Sequence, residues 1–400
     1  SNQRRRRSGI ATWSRNPPTK ILTRCSCGSW SSYFENPMKK TNSIQLWFAR
    51  QTTLLMDPHQ NNIALLRALA VTSVFIHHAQ HVFGGDFPFF GTFGGEFGPQ
   101  MFFIISGYLI SASCVKHDLR EYFLHRVFRI LPAYLLYFLG FGIFDGTINW
   151  TKVDSYPGGF LVNLLLLQQL FPQSLIRYDV LHVTWTLTVE ILWYILAPII
   201  FFAFGGVTKK LVVACIILSS AWSILATMGY LDFIHPEVIA QNKAYSYLFL
   251  GNHFISQLCF FILGAYVYCH RDTLKEWNPA NAILIGITIL ILKPYYGLFS
   301  PIFVTGIAAT FFLIAAIGAT TIKNKFIAHV SETSYSIYLC HFPALLLVNA
   351  LGYKGLSGVC LSVFLTLLLS TLSYIFVEKP GIALGRELAS KWTRRTALQP

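Results

Sequence analysis

The stretch Ile63-Ala-Leu-Leu-Arg67-Ala-Leu-Ala-Val-Thr-Ser-Val-Phe-Ile-His77-His78 decides the fold. It reads as an apolar helix with a guanidinium near one end and imidazoles near the other. Arg67 and His78 are eleven residues apart. At about 100° per residue that is three turns plus roughly 20°, so both lie on one face, about 16 Å apart along the axis. That distance is about half the hydrocarbon core of a bilayer. A permanent charge inside an apolar helix is costly, so it is paired, faces a wet cavity or does chemistry. The plainer alternative has Arg67 snorkelling to the headgroups and His78 hydrogen-bonded within a bundle.

The rest of the chain supports a membrane reading. Of its 400 residues, 54% are hydrophobic and only 12% charged, about half the charge of a soluble domain. Runs long enough to span occur near residues 60–82, 98–115, 129–146, 186–205, 210–229, 250–270, 280–293, 301–321, 334–351 and 356–377. The run Phe160–Leu170 is too short to span and reads as re-entrant or interfacial, near 160–171. With ten spans and the N-terminus inside, fifteen Lys and Arg beyond residue 55 fall in inner loops and five in outer loops. Positively charged loops mark the cytoplasmic side. The predicted fold is therefore an all-α polytopic membrane protein of about ten transmembrane helices, with both termini cytoplasmic.

The net charge of +14 is concentrated in residues 1–55, which hold ten Lys and Arg against Glu35. This basic tail includes Arg4-Arg5-Arg6-Arg7, begins without Met, and has no apolar period. It is expected to be disordered, or translated from upstream of the true start, with no nucleic-acid partner. Residues 56–385 form the expected membrane domain, and 386–400 a short basic cytoplasmic tail. The eight cysteines are scattered with no Cys-x-x-Cys pair, so they read as small core residues and not as metal ligands.

Polar signatures sit in or against the apolar runs. Arg67 and His78 are the first. Phe102-Phe103-Ile-Ile-Ser106-Gly107-Tyr108 carries a mid-helix Ser-Gly pair, where small residues allow close packing or line a narrow passage. Arg126-Val-Phe-Arg129, before Pro132, places two guanidiniums on one face, either as a membrane anchor or as a phosphate clamp. Trp185-Thr-Leu-Thr-Val-Glu190 holds the one carboxylate within a spanning run away from its last residues. Ser334-Tyr335-Ser-Ile-Tyr338-Leu-Cys-His341-Phe-Pro343 and Glu378-Lys-Pro380 close the series.

Taken in order, these signatures resemble the bacterial membrane O-acyltransferases of acyltransferase family 3, which includes the O-antigen and exopolysaccharide acetylases. The resemblance covers about residues 60–385 and rests on the order of the motifs, each weak alone. This chain departs from the family pattern at Tyr108 for Phe, Thr186 for Ser, Pro99-Gln100-Met101 before the Phe pair, and Cys340 where Trp is common.

The resemblance implies transfer of an acyl group, usually acetyl, from cytoplasmic acyl-CoA to a hydroxyl of a sugar or other envelope acceptor. Acyl-CoA is then a co-substrate, no cofactor is bound permanently, and a carbohydrate or lipid-linked glycan is the partner. The location implied is the inner (plasma) membrane of a bacterium. In this reading His78 is the general base, Glu190 orients it, and Arg67 holds the CoA arm or stabilises the oxyanion. Arg126 and Arg129 take the CoA phosphates, and Ser106-Gly107 line the acyl passage. His341 is a second acid/base or a structural hydrogen bonder; Trp185 and Glu378 complete the candidates. Direct transfer and an acyl-His78 intermediate both remain open. The main rival is a proton-coupled transporter using the intramembrane Arg, His and Glu. Against it stands the lack of inverted repeats. A zinc site at His77, His78 and His81 is a minor alternative.

Overall fold

The computed structural model describes residues 60–292 and 301–397, which lie within one compact unit, Met56–Pro400. The basic tail read over residues 1–55 lies outside them. Every regular element among the described residues is helical. In chain order the long helices are α1 (Gln60–Phe83), α2 (Phe90–Lys116), α3 (Leu119–Phe144), α4 (Trp185–Phe204), α5 (Lys209–Thr227), α6 (Phe254–Cys269), α7 (Pro279–Leu292), α8 (Pro301–Gly318), α9 (Ser334–Ala350), α10 (Gly355–Ser373) and α11 (Lys379–Ala397).

Glycine contacts on two sides place α2 between α1 and α6. On its α1 side, a Cβ on Gly94 would lie 2.1 Å from the Ser73 carbonyl, and one on Gly98 2.7 Å from that of Ala70. On its α6 side, Gly107 and Gly264 face the Phe261 and Ile104 carbonyls at 2.1 and 2.0 Å by the same measure. Descending numbers on one helix meet ascending numbers on the other, so α1 and α6 both run antiparallel to α2. Backbones approach this closely only where side chains vanish, the usual device of helix pairs in lipid. Gly107 thus packs against the α6 backbone, with the Phe261 carbonyl where a side chain would stand. Gly107→Val is expected to destabilise the α2–α6 pair by at least about 1–3 kcal/mol, the usual cost of overpacking. A lowered thermal midpoint in detergent checks this; an unchanged one removes the contact from the stability argument.

Length limits how many helices cross a bilayer. Six among the described residues are long and apolar enough, in α1 to α5 and from Gly355 to Trp392. A seventh is counted if the pair Ala244–Gly251 and Phe254–Cys269, bent by 42°, is one span. Among the described residues each of the ten apolar runs has a helix at its core, but not all of these helices reach spanning length. At 14 residues α7 covers about 21 Å, short of the about 30 Å of hydrocarbon; Phe303–Gly318 of α8 is likewise a shorter apolar helix.

Residues 150–177 form no span. Short helices Trp150–Ser155, Pro157–Leu164 and Pro172–Arg177, with a 3-10 turn at Gln168–Leu170, fold against one another. Buried Asn163 donates to Ser174 Oγ (2.7 Å) and the Gly159 carbonyl (3.0 Å). Gln168 and Gln169 donate to the carbonyls of Thr184 and Leu248. The Asn163 bonds hold the irregular segment together, and the two glutamines tie it to Thr184, just before α4, and to Leu248. At the other end of the chain, the stretch read as a tail from residue 386 continues as α11, packed along α3.

Candidate active site

Two helices distant in sequence bring the central pair together. His78 of α1 and His341 of α9 lie with Nδ1 and Nε2 2.8 Å apart and rings stacked at 5.0 Å. His341 Nδ1 is 2.8 Å from the Tyr338 carbonyl and 3.2 Å from that of Ile337. Carbonyls only accept, so Nδ1 of His341 carries its proton, and Nε2 of the neutral ring is an acceptor. His78 must then donate from Nδ1, which leaves the lone pair of its Nε2 available. The tautomer follows from the bond network.

His78 lines a cavity of about 340 Å³ together with His77, Glu96, Gln100, Trp185 and Tyr247, a size typical of small-molecule sites. One wall is tied to α9, because Tyr338 shares a 3.0 Å hydrogen bond with Thr186 beside Trp185. Among the described residues His77, His78 and His81 do not bring three donor atoms together. His77 Nδ1 donates to the Gly91 carbonyl and His81 Nδ1 to that of His77, so only the outer ring nitrogens remain.

Glu190 does not meet His78. Its Oε1 accepts from Ser106 Oγ (3.2 Å) and from the Tyr194 hydroxyl (2.5 Å). The expected imidazole–carboxylate pair is therefore replaced by a His–His pair. Glu190 belongs instead to a second polar group with Arg67, whose charged neighbours are Arg129, Glu190 and Glu378. Arg126 stands in the same region. Its Nη2 donates to Ser113 Oγ (3.3 Å), its guanidinium lies 5.9 Å from the rings of both Tyr122 and Tyr194, and its buried Nε has no partner. Glu378 is fully buried; Ser336 donates to its Oε1 while Oε2 is left unbonded. The structure thus gathers Arg67, Ser106, Arg126, Arg129, Glu190 and Glu378 into one group, and His78, His341 and Trp185 into another. Arg67 and His78 stand about 16 Å apart on α1.

Sequence reasoning passed over two residues. Tyr194 bridges Glu190 and Arg126, and its position four residues after Glu190 is the helical signal for that contact. His182 stands in the loop before α4 and touches the Phe342 ring, which is edge-on to His78. Burial pushes the His182 imidazole down, but the Asp179 carboxylate 3.1 Å away outweighs it, with Asp145 adding, and the net shift is upward. Such a pair contributes stability below the imidazole's ordinary range near pH 6.5 and loses it as pH rises through the raised folded value. Asp179→Asn is expected to move the His182 midpoint downward, read by NMR of the imidazole; an unmoved midpoint would rule out the carboxylate as the cause.

The chain matches an acyltransferase-domain family model, acyltransferase family 3, over residues 60–375. It belongs to that family. Among its relatives, O-acetyltransferase OatA of Staphylococcus aureus (strain NCTC 8325 / PS 47) is 25% identical over 355 residues, covering 79% of this chain and 56% of the relative. The putative peptidoglycan O-acetyltransferase YrhL of Bacillus subtilis (strain 168) is 25% identical over 363 residues, covering 79% of this chain and 54% of the relative. The chain therefore spans little more than half the length of these relatives. No solved structure matches it.

Proposed function

We propose that this chain is a membrane O-acyltransferase that moves an acyl group, acetyl first among candidates, from acyl-CoA to a hydroxyl of an envelope glycan. The observation that carries the reading is the His78–His341 pair: its bonds leave the Nε2 lone pair of His78 unspent, and His78 lines a cavity. A sugar hydroxyl is a poor nucleophile at neutral pH and needs a base within hydrogen-bond reach. His78 Nε2 accepts the hydroxyl proton as the oxygen bonds to the thioester carbon. The carbon–sulfur bond then breaks, and the leaving CoA thiolate takes that proton back. In between, the extra positive charge is shared with His341, whose Nδ1–H points at two carbonyls.

The donor end is set by charge. Arg126, with its orphaned Nε, and Arg129 take the CoA phosphates, and Arg67 neutralises the arriving arm. Arg67 is about 16 Å from His78, while an oxyanion donor must lie within about 3 Å. Arg67 thus serves the donor path, and Trp185, whose indole N–H only donates, stands on the cavity beside His78. The separation suits the extended pantetheine arm. In this reading the shorter helices join the six long ones in a bundle of about ten spans with both termini cytoplasmic, in the inner membrane. The acceptor is a carbohydrate of the peptidoglycan type, as the name of the Bacillus relative suggests. Membership of an acyltransferase family argues against the transporter alternative.

Purified protein supplied with radiolabelled acetyl-CoA is expected to release label to water or to added glycan fragments. Absence of both turnover and CoA binding would overturn the reading.

A further inference from the structure

A further cluster of donor side chains, none of them used above, lies at the junction of α2 and α3, next to Arg126. His117 ends α2 and precedes Asp118, the residue that caps α3 by accepting from the Glu121 amide. Glu121 and His125 stand four residues apart on one edge of α3, and His117, which precedes the helix, folds back onto Glu121. His117 Nδ1 is 2.9 Å from one Glu121 oxygen and His125 Nε2 is 3.9 Å from the other. The two imidazoles stand edge to face, 4.9 Å between centroids. One donor atom from each residue falls within 4.8 Å of the others.

We infer that His117, Glu121 and His125 form a binding site for a borderline divalent transition-metal ion of the zinc class. In a tetrahedral zinc site with bonds near 2.0–2.2 Å, neighbouring donors stand about 3.4 Å apart. The 2.9 and 3.9 Å separations, which run to opposite oxygens of the Glu121 carboxylate, stand on either side of that spacing. With one donor atom of each residue within 4.8 Å of the others, side-chain adjustments on the order of an ångström close the site. Two imidazoles and one carboxylate exclude calcium and magnesium, which take oxygen ligands. They match a site that keeps a position open for water or an anion. Side-chain exposures of 19%, 31% and 17% for His117, Glu121 and His125 let an ion enter and a water complete the shell. Neighbouring Lys116, Arg120, Arg126 and Arg386 oppose a bare dication, and the Glu121 charge offsets part of that. A bound ion would clip the end of α2 to the first turns of α3, one residue before Arg126.

The test uses the full chain purified in detergent, stripped by a chelator and titrated with zinc chloride. Wild type is expected to bind one equivalent more than His117→Ala, Glu121→Gln or His125→Gln, or to bind it about tenfold or more tighter. Equal stoichiometry and affinity in all four proteins would overturn the site. A second measurement on wild type alone holds if a variant does not fold. Saturating zinc is expected to protect His117 and His125 from diethyl pyrocarbonate, while exposed His81 remains modified at its zinc-free rate. Unchanged modification of His117 and His125 would equally reject the proposal.

Discussion

His78→Ala is expected to lower transfer from acetyl-CoA by about 10²–10⁴-fold, the usual worth of a positioned general base, while acetyl-CoA binding stays unchanged. The reason is local. The Nε2 lone pair of His78 is what the tautomer chain leaves unspent on this cavity-lining residue, and alanine removes it without touching the arginines. Stability is expected to fall little, because His78 is only partly buried, and its one ring bond goes to His341. His341 then keeps its carbonyl acceptors.

His341→Gln separates orientation from chemistry. Glutamine can still accept the His78 Nδ1–H but cannot take the shared proton. A loss smaller than that of His78→Ala, with a shifted pH profile, is expected; a loss equal to His78→Ala with no shift would show that His341 holds only shape. Transfer by His78→Ala at the wild-type rate would end the base assignment outright.

How much of this was legible depends on what kind of information a contact needs. The apolar runs marked the helices because burial of a whole segment in lipid is written continuously along the chain. The Arg67-to-His78 face followed from helical geometry alone. The His78–His341 bond joins residues 263 apart, and no local pattern states which helix faces which. Depth in the membrane made Glu190 a reasonable partner for His78. Depth fixes height and not rotation, and the rotation of α4 turns Glu190 toward Ser106 and Tyr194. Gly107 was ambiguous for the same reason: a missing side chain makes room equally for a ligand or a backbone, and the Phe261 carbonyl takes the space. His117, Glu121 and His125 show their spacing plainly, but His117 precedes the helix, so its fold-back onto Glu121 needed coordinates.

The second large effect is expected at the donor end, where Arg126→Ala should raise the KM for acetyl-CoA and leave kcat nearly intact. A charge-assisted hydrogen bond to phosphate is worth about 1.5–3 kcal/mol, which converts to roughly 10–150-fold in KM. Arg126 is the cleaner of the two arginines to change. Its protein contacts are one long bond to Ser113 and two distant rings, and its Nε is unspent. Arg129 is different because its charge faces Glu378, which is fully buried and half-satisfied. Removing Arg129 takes away the stronger of the two cations acting on that carboxylate and leaves Arg67 alone beside it, a cost approaching the about 3–5 kcal/mol of a broken buried pair. Arg129→Ala should therefore lose thermal stability as well as CoA affinity, and Arg129→Ala with Glu378→Gln should recover stability but not affinity. Arg126→Lys tests geometry, since it keeps the charge and loses the fork, and it should fall between wild type and alanine. An Arg126→Ala enzyme with unchanged KM and reduced kcat would place this guanidinium at the reacting atoms and not at the phosphates.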